Sequence, residues 1–200
     1  SGETDDMLVS AGLGECTSKV VNLSFGGFTP NGGPSASLVS AINKAVQRDQ
    51  VLVAAAGNDG TAKSAPNRRF WPAAMESVIA VGAYDSAAPN QLWEKTNRAD
   101  VYAPGVKLLS AHIPKGNNPE TGAAYDGWVT WSGTSFAAPL VAAHLVKEIA
   151  GMQSGRRQKA DAWWRGLPDG GLPGSPGWIG KIRQAPAKGK KFVPTKKHTP

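Results

Sequence analysis

The sequence predicts an α/β fold, with an open, mostly parallel sheet that carries helices on both faces and is followed by a basic tail. Short apolar runs that end in glycine turns alternate with stretches of helical period. No run of 18 or more apolar residues suggests a membrane span. All the excess positive charge falls in the last fifty residues. These observations indicate one sheet-based domain and an appendage of different composition.

The first predicted unit is a strand, a helix and a second strand. VVNLSF at residues 20–25 is stopped by two glycines, as expected for a strand buried on both faces. A helix of amphipathic period follows, with its apolar residues at Leu38, Ile42, Ala45 and Val46. VLVAAAGNDG at residues 51–60 is the second buried strand and its turn. Two strands joined in this way should be parallel, with a right-handed crossover.

Later segments complete the predicted domain. SVIAVGA at residues 77–83 is a third strand, and DVYAPGVKLLSA at residues 100–111 predicts extended segments around an Ala-Pro-Gly turn. The apolar residues of segment 135–149 keep to no single stripe, which predicts a central helix covered on all sides. Pro139 should lie in its first turn, where a missing N–H costs little. The domain so predicted comprises residues 1–152.

The composition changes after Met152. Residues 151–200 hold 11 Lys and Arg against 2 Asp and Glu, whereas residues 1–150 hold 11 against 13. Glycine and proline are frequent and no period is sustained. Residues 153–200 are therefore predicted to be a poorly ordered tail rich in Gly, Pro, Lys and Arg.

Polar loops follow the first two strands, at the sheet edge where open parallel sheets bind ligands. The second loop contains Asn58, and Gly-Thr-Ser at residues 133–135 places the Ser135 hydroxyl at the positive end of a helix. If these meet, the Asn58 amide and the Ser135 N–H are two donors for an oxyanion, and one such amide is worth roughly 3–4 kcal/mol. A simple helix N-cap is the alternative interpretation of Ser135.

Five blocks, NLSFGG, VLVAAAGNDG, SVIAVGAYD, DVYAPGVKLLSA and SGTSFAAP, resemble the subtilisin-like serine proteases (the subtilase or peptidase S8 family) in sequence and in order. The resemblance covers about residues 20–150. It implies a serine endopeptidase with Ser135 as acylating nucleophile and Asn58 in the oxyanion hole. It also implies that no cofactor is required, that the partner is an extended peptide or protein substrate, and that the protein is secreted or vacuolar.

The resemblance assigns further residues to substrate binding, namely Ser24, Phe25, Gly26, Ala55, Ala56, Gly57 and Thr134. The first three correspond to a backbone edge that pairs with an extended peptide. The next three correspond to one wall of the pocket for the side chain before the scissile bond, and the threonine adds a weaker hydroxyl contact. Phe70 falls near the floor of that pocket and would restrict it to small side chains. The Trp71-Pro72 peptide is expected to be cis.

Asp100 resembles a position that, in some relatives, binds a cation together with backbone carbonyls, here those of Glu76 and Val78. One carboxylate with carbonyl oxygens suits a structural Ca²⁺. An aspartate that makes local hydrogen bonds at a strand start is the alternative.

A serine nucleophile needs a general base and a group that orients the base. The resemblance implies the chain order Asp, His, Ser, yet no Asp-[Ser/Thr]-Gly or His-Gly-Thr motif occurs. His112 precedes Ser135 in an extended segment, His144 lies about 13 Å beyond Ser135 along the same helix, and His198 is in the tail. The chain therefore resembles the C-terminal part of a subtilase domain, with a sheet incomplete on its N-terminal side. A segment supplied in trans would restore the triad.

An inactive fragment or pseudoprotease with a polyanion-binding tail is the alternative function. Lysines at 188–191 and 196–197 would contact phosphates, and Trp163, Trp164 and Trp178 would stack on bases. A solvated extension explains such a composition more simply, so nucleic-acid binding is the less favoured prediction.

Overall fold

The computed structural model describes residues 5–60, 70–88, 91–111, 117, 122 and 127–167. In chain order its elements are α1 (Asp6–Glu15), β1 (Val20–Leu23), α2 (Ala36–Gln47), β2 (Val51–Ala55), β3 (Val78–Tyr84), β4 (Val101–Pro104), β5 (Leu108–Ala111), β6 (Trp128–Trp131), α3 (Thr134–Glu148) and α4 (Arg156–Gly166). The strands and helices predicted before residue 150 are found at their predicted places. In the described part of the chain, no helix has the length and apolarity needed to cross a bilayer.

Four parallel strands form the main sheet in the order β1-β2-β3-β4. The carboxyl ends of all four strands therefore lie at one edge of this sheet. β5 and β6 form a separate antiparallel ribbon. The predicted open parallel sheet is confirmed.

The sheet is covered on both faces, and β2, β3 and β4 are buried at every position. The prediction that β1 is buried on both faces is wrong, since this edge strand exposes Asn22. Successive side chains of a strand point to opposite faces. Val51 and Val53 of β2 join the core formed with α3 and α4, whereas Leu52 and Ala54 join the core formed with α1 and α2. All five residues of β2 are buried. This two-sided burial is the reason that the strands lack polar alternation.

Helix α3 is the central helix and contacts all four strands of the main sheet. Its inward face is fully enclosed, and Val141 and Leu145 have no exposed surface. The prediction that the helix is covered on all sides is wrong, since Leu140 and Val146 are 40% and 54% exposed. Gly105 permits its close approach, because a Cβ there would lie 3.1 Å from the Cβ of Ala137.

The predicted domain boundary at residue 152 is wrong, because helix α4 lies beyond it and packs on the domain. Ala160 and Trp164 are buried in the same core as α3. The prediction of a poorly ordered tail is wrong through residue 167, because an aspartate distant in sequence fixes the helix start. Residues 168–200, the rest of that tail, lie outside the described residues.

Asp49 is the side chain that fixes the start of α4. Its two carboxylate oxygens each accept a backbone hydrogen bond at 3.0 Å, from Arg156 N–H and Arg157 N–H. The residue before the helix, Gly155, offers no side chain for this purpose. Partial burial raises the pKa of Asp49, but these hydrogen bonds and the guanidinium of Arg156 outweigh it and hold the pKa below its usual value of 3.8. Asp49 thus stabilises the docked helix only while it is ionised.

Replacing Asp49 by asparagine should weaken the docking of α4 by about 1 kcal/mol, since a charged cap is lost. In the unaltered chain this stabilisation is present above pH 3.8 and is lost as the pH falls through the lower pKa of the folded state. Hydrogen exchange of the amides of residues 156–166, followed from pH 7 to pH 3, measures both effects.

The matched control is Asp85→Asn, because Asp85 also accepts a backbone hydrogen bond, from Ala87 N–H, but lies far from α4 in the chain. The control should leave the protection of α4 and its acid sensitivity unchanged. Equal acid sensitivity in the Asp49→Asn variant and the unaltered chain would contradict the role given to Asp49.

Candidate active site

Asn58 and the start of α3 are joined by hydrogen bonds, although they lie far apart in the chain. Asn58 Oδ1 accepts from the backbone N–H of Thr134 at 2.9 Å and from its hydroxyl at 3.0 Å. The buried Thr134 hydroxyl oxygen in turn accepts from Gly57 N–H at 3.1 Å. The loop after β2 is therefore fastened to the first residue of α3.

These bonds settle which way the Asn58 amide faces. Because Oδ1 accepts from Thr134, Nδ2 is left as the donor end of the amide. Nδ2 lies beside Gly133, where an added Cβ would be 3.4 Å away. Asn58 is exposed, so the N–H groups of its amide are accessible beside the start of α3.

Ser135 is the second residue of α3 and does not cap it. The N-cap position is Gly133, which has no side chain to form a capping bond. Asn58 instead satisfies the N–H of Thr134 from another loop. The N-cap interpretation of Ser135 is therefore wrong, and its half-buried hydroxyl is not used to cap the helix. Its N–H belongs to the first turn, where no carbonyl of the helix can accept it.

Pro139 explains a second hydrogen bond that joins α3 to a strand-end loop, here the loop after β1. It is the sixth residue of α3 and not, as predicted, a first-turn residue. Because proline has no N–H, the carbonyl of Ser135 four residues earlier has no partner within the helix. The Ser24 hydroxyl donates to this carbonyl at 2.8 Å. The loop after β1 is thereby held against the residue that carries the candidate nucleophile.

The Phe70 ring fills the space between the two strand-end loops. A Cβ at Gly26 would lie 2.8 Å from Phe70 Cδ1, and a Cβ at Gly57 would lie 3.0 Å from Phe70 Cγ. Ala55 and Ala56, predicted beside Gly57 as a pocket wall, are buried. Phe25, on the opposite strip, is 38% exposed. The Trp71-Pro72 peptide that follows Phe70 is cis, as predicted.

The Asp100 carboxylate takes part in local hydrogen bonds. Its Oδ2 accepts from Ala80 N–H at 2.8 Å, and its own N–H donates to the Ala80 carbonyl at 3.0 Å. These contacts match the alternative of an aspartate that joins β3 to the start of β4. No group of three or more His, Cys, Asp or Glu side chains suited to a metal occurs among the described residues. Calcium at Asp100, with the carbonyls of Glu76 and Val78, stays a prediction.

A general base is not found beside Ser135 in the described ranges, where no hydrogen bond joins its hydroxyl to a histidine or a carboxylate. His144 lies on α3 and packs on Trp163, with ring centroids 4.8 Å apart, and its Nε2 is 3.6 Å from Glu148. Burial raises the pKa of Tyr84 and of Tyr102 to about 12, so both remain neutral. His112 and His198 lie outside the described residues.

Two of the tryptophans predicted to stack on bases, Trp163 and Trp164, lie on α4 and contact other side chains of the domain. Trp164 is 7% exposed, and its indole N–H donates to Asp161 at 3.1 Å. Trp163 packs against His144. Burial makes the stacking role wrong for Trp164, stacking by the half-buried Trp163 stays a prediction, and Trp178 and the lysines at 188–197 lie outside the described residues.

The chain belongs to the subtilase family, whose model matches residues 2–164. The match exceeds the predicted range of 20–150 and includes α1 and most of α4. The chain is 38% identical to subtilisin DY of Bacillus licheniformis over 62% of its own length and 39% of the relative. It is 36% identical to an extracellular protease of Xanthomonas campestris over 66% of this chain and 21% of the relative. The chain spans about two fifths of the length of subtilisin DY.

The fold also matches a solved structure. A cold-adapted subtilisin-like serine proteinase superposes with a TM-score of 0.65, covering 91% of this chain and 62% of that chain at 24% identity. This likeness supports the subtilisin-like α/β fold. The relatives that the chain matches include proteins named as serine proteases, such as an intracellular serine protease of Paenibacillus polymyxa that is 33% identical over 66% of this chain and 36% of the relative.

Proposed function

We propose that the chain supplies the nucleophile and the oxyanion site of a subtilisin-type serine endopeptidase. Ser135 Oγ attacks the peptide carbonyl carbon, and the resulting oxyanion accepts hydrogen bonds from Asn58 Nδ2 and Ser135 N–H. Collapse of this intermediate expels the amine and leaves an acyl group on Ser135, which water then removes as the acid. The hydrogen bond from Thr134 N–H to Asn58 Oδ1 carries the proposal, because it holds the amide one residue away from the nucleophile.

The proton of the Ser135 hydroxyl requires an acceptor for this attack. We assign the general base and its orienting carboxylate to a segment outside residues 1–200, in the same protein or in a second chain. No histidine of the described residues contacts Ser135, and the sequence has no His-Gly-Thr motif. Without the base, the oxyanion donors alone give a residual acceleration on the order of 10³-fold over water, the magnitude known for subtilisin without its triad.

The proposed substrate is an extended peptide that pairs with the backbone of residues 24–26. Main-chain pairing of this kind gives affinity with little demand on sequence. The Phe70 ring limits the pocket before the scissile bond to a small side chain, because it occupies the space between Gly26 and Gly57. Secretion is the proposed location, in line with the name of the Xanthomonas relative.

The test uses a chimera in which the part of subtilisin DY that precedes its matched segment is fused to this chain. Ser135 of the chimera should react with a fluorophosphonate probe at a rate near that of subtilisin DY, because the added part supplies the base. Residues 1–200 alone should react far more slowly. Peptide mapping of the labelled protein identifies the modified serine.

The matched variants are Ser135→Ala, which should abolish labelling, and Ser132→Ala, which should keep it. Ser132 lies three residues before Ser135, and its hydroxyl accepts from Lys107 N–H. Full-rate labelling of residues 1–200 alone would contradict the assignment of the base. A folded chimera whose Ser135 stays unlabelled would contradict the proposed function.

A further inference from the structure

The loop that carries Asn58 is also hydrogen-bonded to Asn97, a residue between β3 and β4 that is 8% exposed. The backbone N–H of Asn97 donates to the carbonyl of Gly57 at 3.0 Å. The Oδ1 of Asn97 accepts from the backbone N–H of Asp59 at 2.9 Å. These two bonds hold the peptide groups directly before and directly after Asn58. Asn97 therefore fixes the backbone position of Asn58.

Residues 95–97 pack directly against this loop. A Cβ added at Gly57 would overlap with Nδ2 of Asn97, and one added at Gly60 would overlap with the carbonyl oxygen of Thr96. Glycine is therefore required at both ends of the loop, because no side chain fits between the loop and this segment. The loop thus rests on residues 95–97 at both of its ends.

The side-chain amide of Asn97 is not explained by stability alone. Its Nδ2 is buried and has no hydrogen-bond partner in the part of the chain that the structure describes. A buried donor without a partner is costly, and an alanine would avoid that cost. An alanine would, however, leave the Asp59 N–H without the acceptor that Oδ1 provides. Local costs of this kind are typical of functional sites.

We propose that Asn97 is a positioning residue for the oxyanion donor Asn58. The inference rests on the proposed function, in which Asn58 Nδ2 donates to the oxyanion. Thr134 orients the amide of Asn58 through Oδ1, whereas Asn97 holds the backbone from which this side chain extends. The position of such a donor matters, since a misplacement of about 1 Å can cost on the order of 10²-fold in rate. Because Asn97 is buried, it acts on the reaction through Asn58.

The kinetic test is Asn97→Ala in the active chimera, which should lower kcat about tenfold and leave KM nearly unchanged. The same replacement in the Asn58→Asp background should leave kcat nearly unchanged, because the donor that Asn97 positions is already absent. A general loss of structure would lower kcat by the same factor in both backgrounds, and that result would overturn the proposal.

The matched control is Gln50→Ala, which removes another buried amide at the opposite, amino-terminal edge of the sheet. Gln50 Oε1 accepts from the guanidinium of Arg48, and Nε2 donates to the carbonyls of Cys16 and Ser18. The control should lower the midpoint of thermal unfolding at least as much as Asn97→Ala, because it breaks more hydrogen bonds, but it should keep kcat. An equal fall of kcat in the control would assign the effect to stability and overturn the proposal.

A second measurement, on residues 1–200, does not depend on catalysis. Hydrogen exchange of the Thr134 amide reports the position of Asn58, because this N–H donates to Asn58 Oδ1. Asn97→Ala should speed this exchange about tenfold. Asn97→Asp keeps an oxygen that accepts from the Asp59 N–H, so it should keep the Thr134 amide protected. This conservative variant also tests the role if the alanine variant does not fold.

The outcomes separate this inference from the proposed function. Unchanged protection of Thr134 in Asn97→Ala, or loss of protection in Asn97→Asp, would overturn the positioning role even if Ser135 labels as expected. Conversely, faster exchange in Asn97→Ala, together with a folded chimera that stays unlabelled at Ser135, would retain the support of Asn58 by Asn97 and reject the peptidase function.

Discussion

Replacing Asn58 by aspartate in the active chimera should lower kcat/KM by about 10²–10³-fold, the magnitude known for the oxyanion-hole amide of subtilisin. The carboxylate still accepts the hydrogen bonds from the N–H and hydroxyl of Thr134, so the loop stays attached to α3. It cannot donate to the oxyanion, and its charge repels the oxyanion. The midpoint of thermal unfolding should therefore change little while turnover collapses. Peptide hydrolysis and thermal unfolding, measured on one preparation, test this separation.

The companion variant Asn58→Ala removes both ends of the amide. It should lose a similar factor in kcat/KM and also lower the unfolding temperature, because Thr134 N–H loses its acceptor at a buried helix start. If the aspartate variant kept full activity, Asn58 would have only the structural role. If both variants lost stability and activity in proportion, the effect on rate would be one of folding.

Replacing Phe70 by glycine should change the size of side chain accepted before the scissile bond. The unaltered chimera is expected to cleave after alanine or glycine, and the variant should gain about 10–100-fold in kcat/KM after leucine or phenylalanine. The gain corresponds to burial of one large apolar side chain, worth about 1.5–3 kcal/mol. Hydrolysis of a peptide series that differs only at this position measures the change.

Phe70→Tyr is the matched control, since it keeps the ring between Gly26 and Gly57. It should keep the preference for small side chains. The glycine variant also loses the edge-on contact with Phe28, so its unfolding temperature must be measured alongside. Rapid cleavage after phenylalanine by the unaltered chimera would contradict the closed pocket.

Strands β2 to β4 could be predicted because their burial on both faces leaves a plain signal in the sequence. Val51–Ala55 is apolar at every position and is followed by Gly57, which has a φ of 102°. The closeness of Asn58 and Thr134 was predictable only through the expected sheet-edge geometry and the family resemblance, because 76 positions separate them in the chain.

Other features depend on contacts that no local pattern encodes. Helix α4 has a polar composition, and its start is capped by Asp49, more than a hundred positions earlier. Ser135 does not cap α3, because Asn58 in another loop accepts the hydrogen bond of the Thr134 N–H. The sequence did show that Gly133, which precedes the helix, has no side chain that could cap it. The exposed Leu140 and Val146 also have no local signature, since an apolar side chain does not reveal what covers it.

The shared groove of Asn58 and Ser135 is tested most directly by a crystal structure of the chimera with a phosphonate group bonded to Ser135 Oγ. The phosphonyl oxygen stands in for the oxyanion of the tetrahedral intermediate. We expect this oxygen to lie about 2.7–3.1 Å from both Asn58 Nδ2 and Ser135 N. A phosphonyl oxygen that points to solvent, with the Asn58 amide turned away from Ser135, would contradict it.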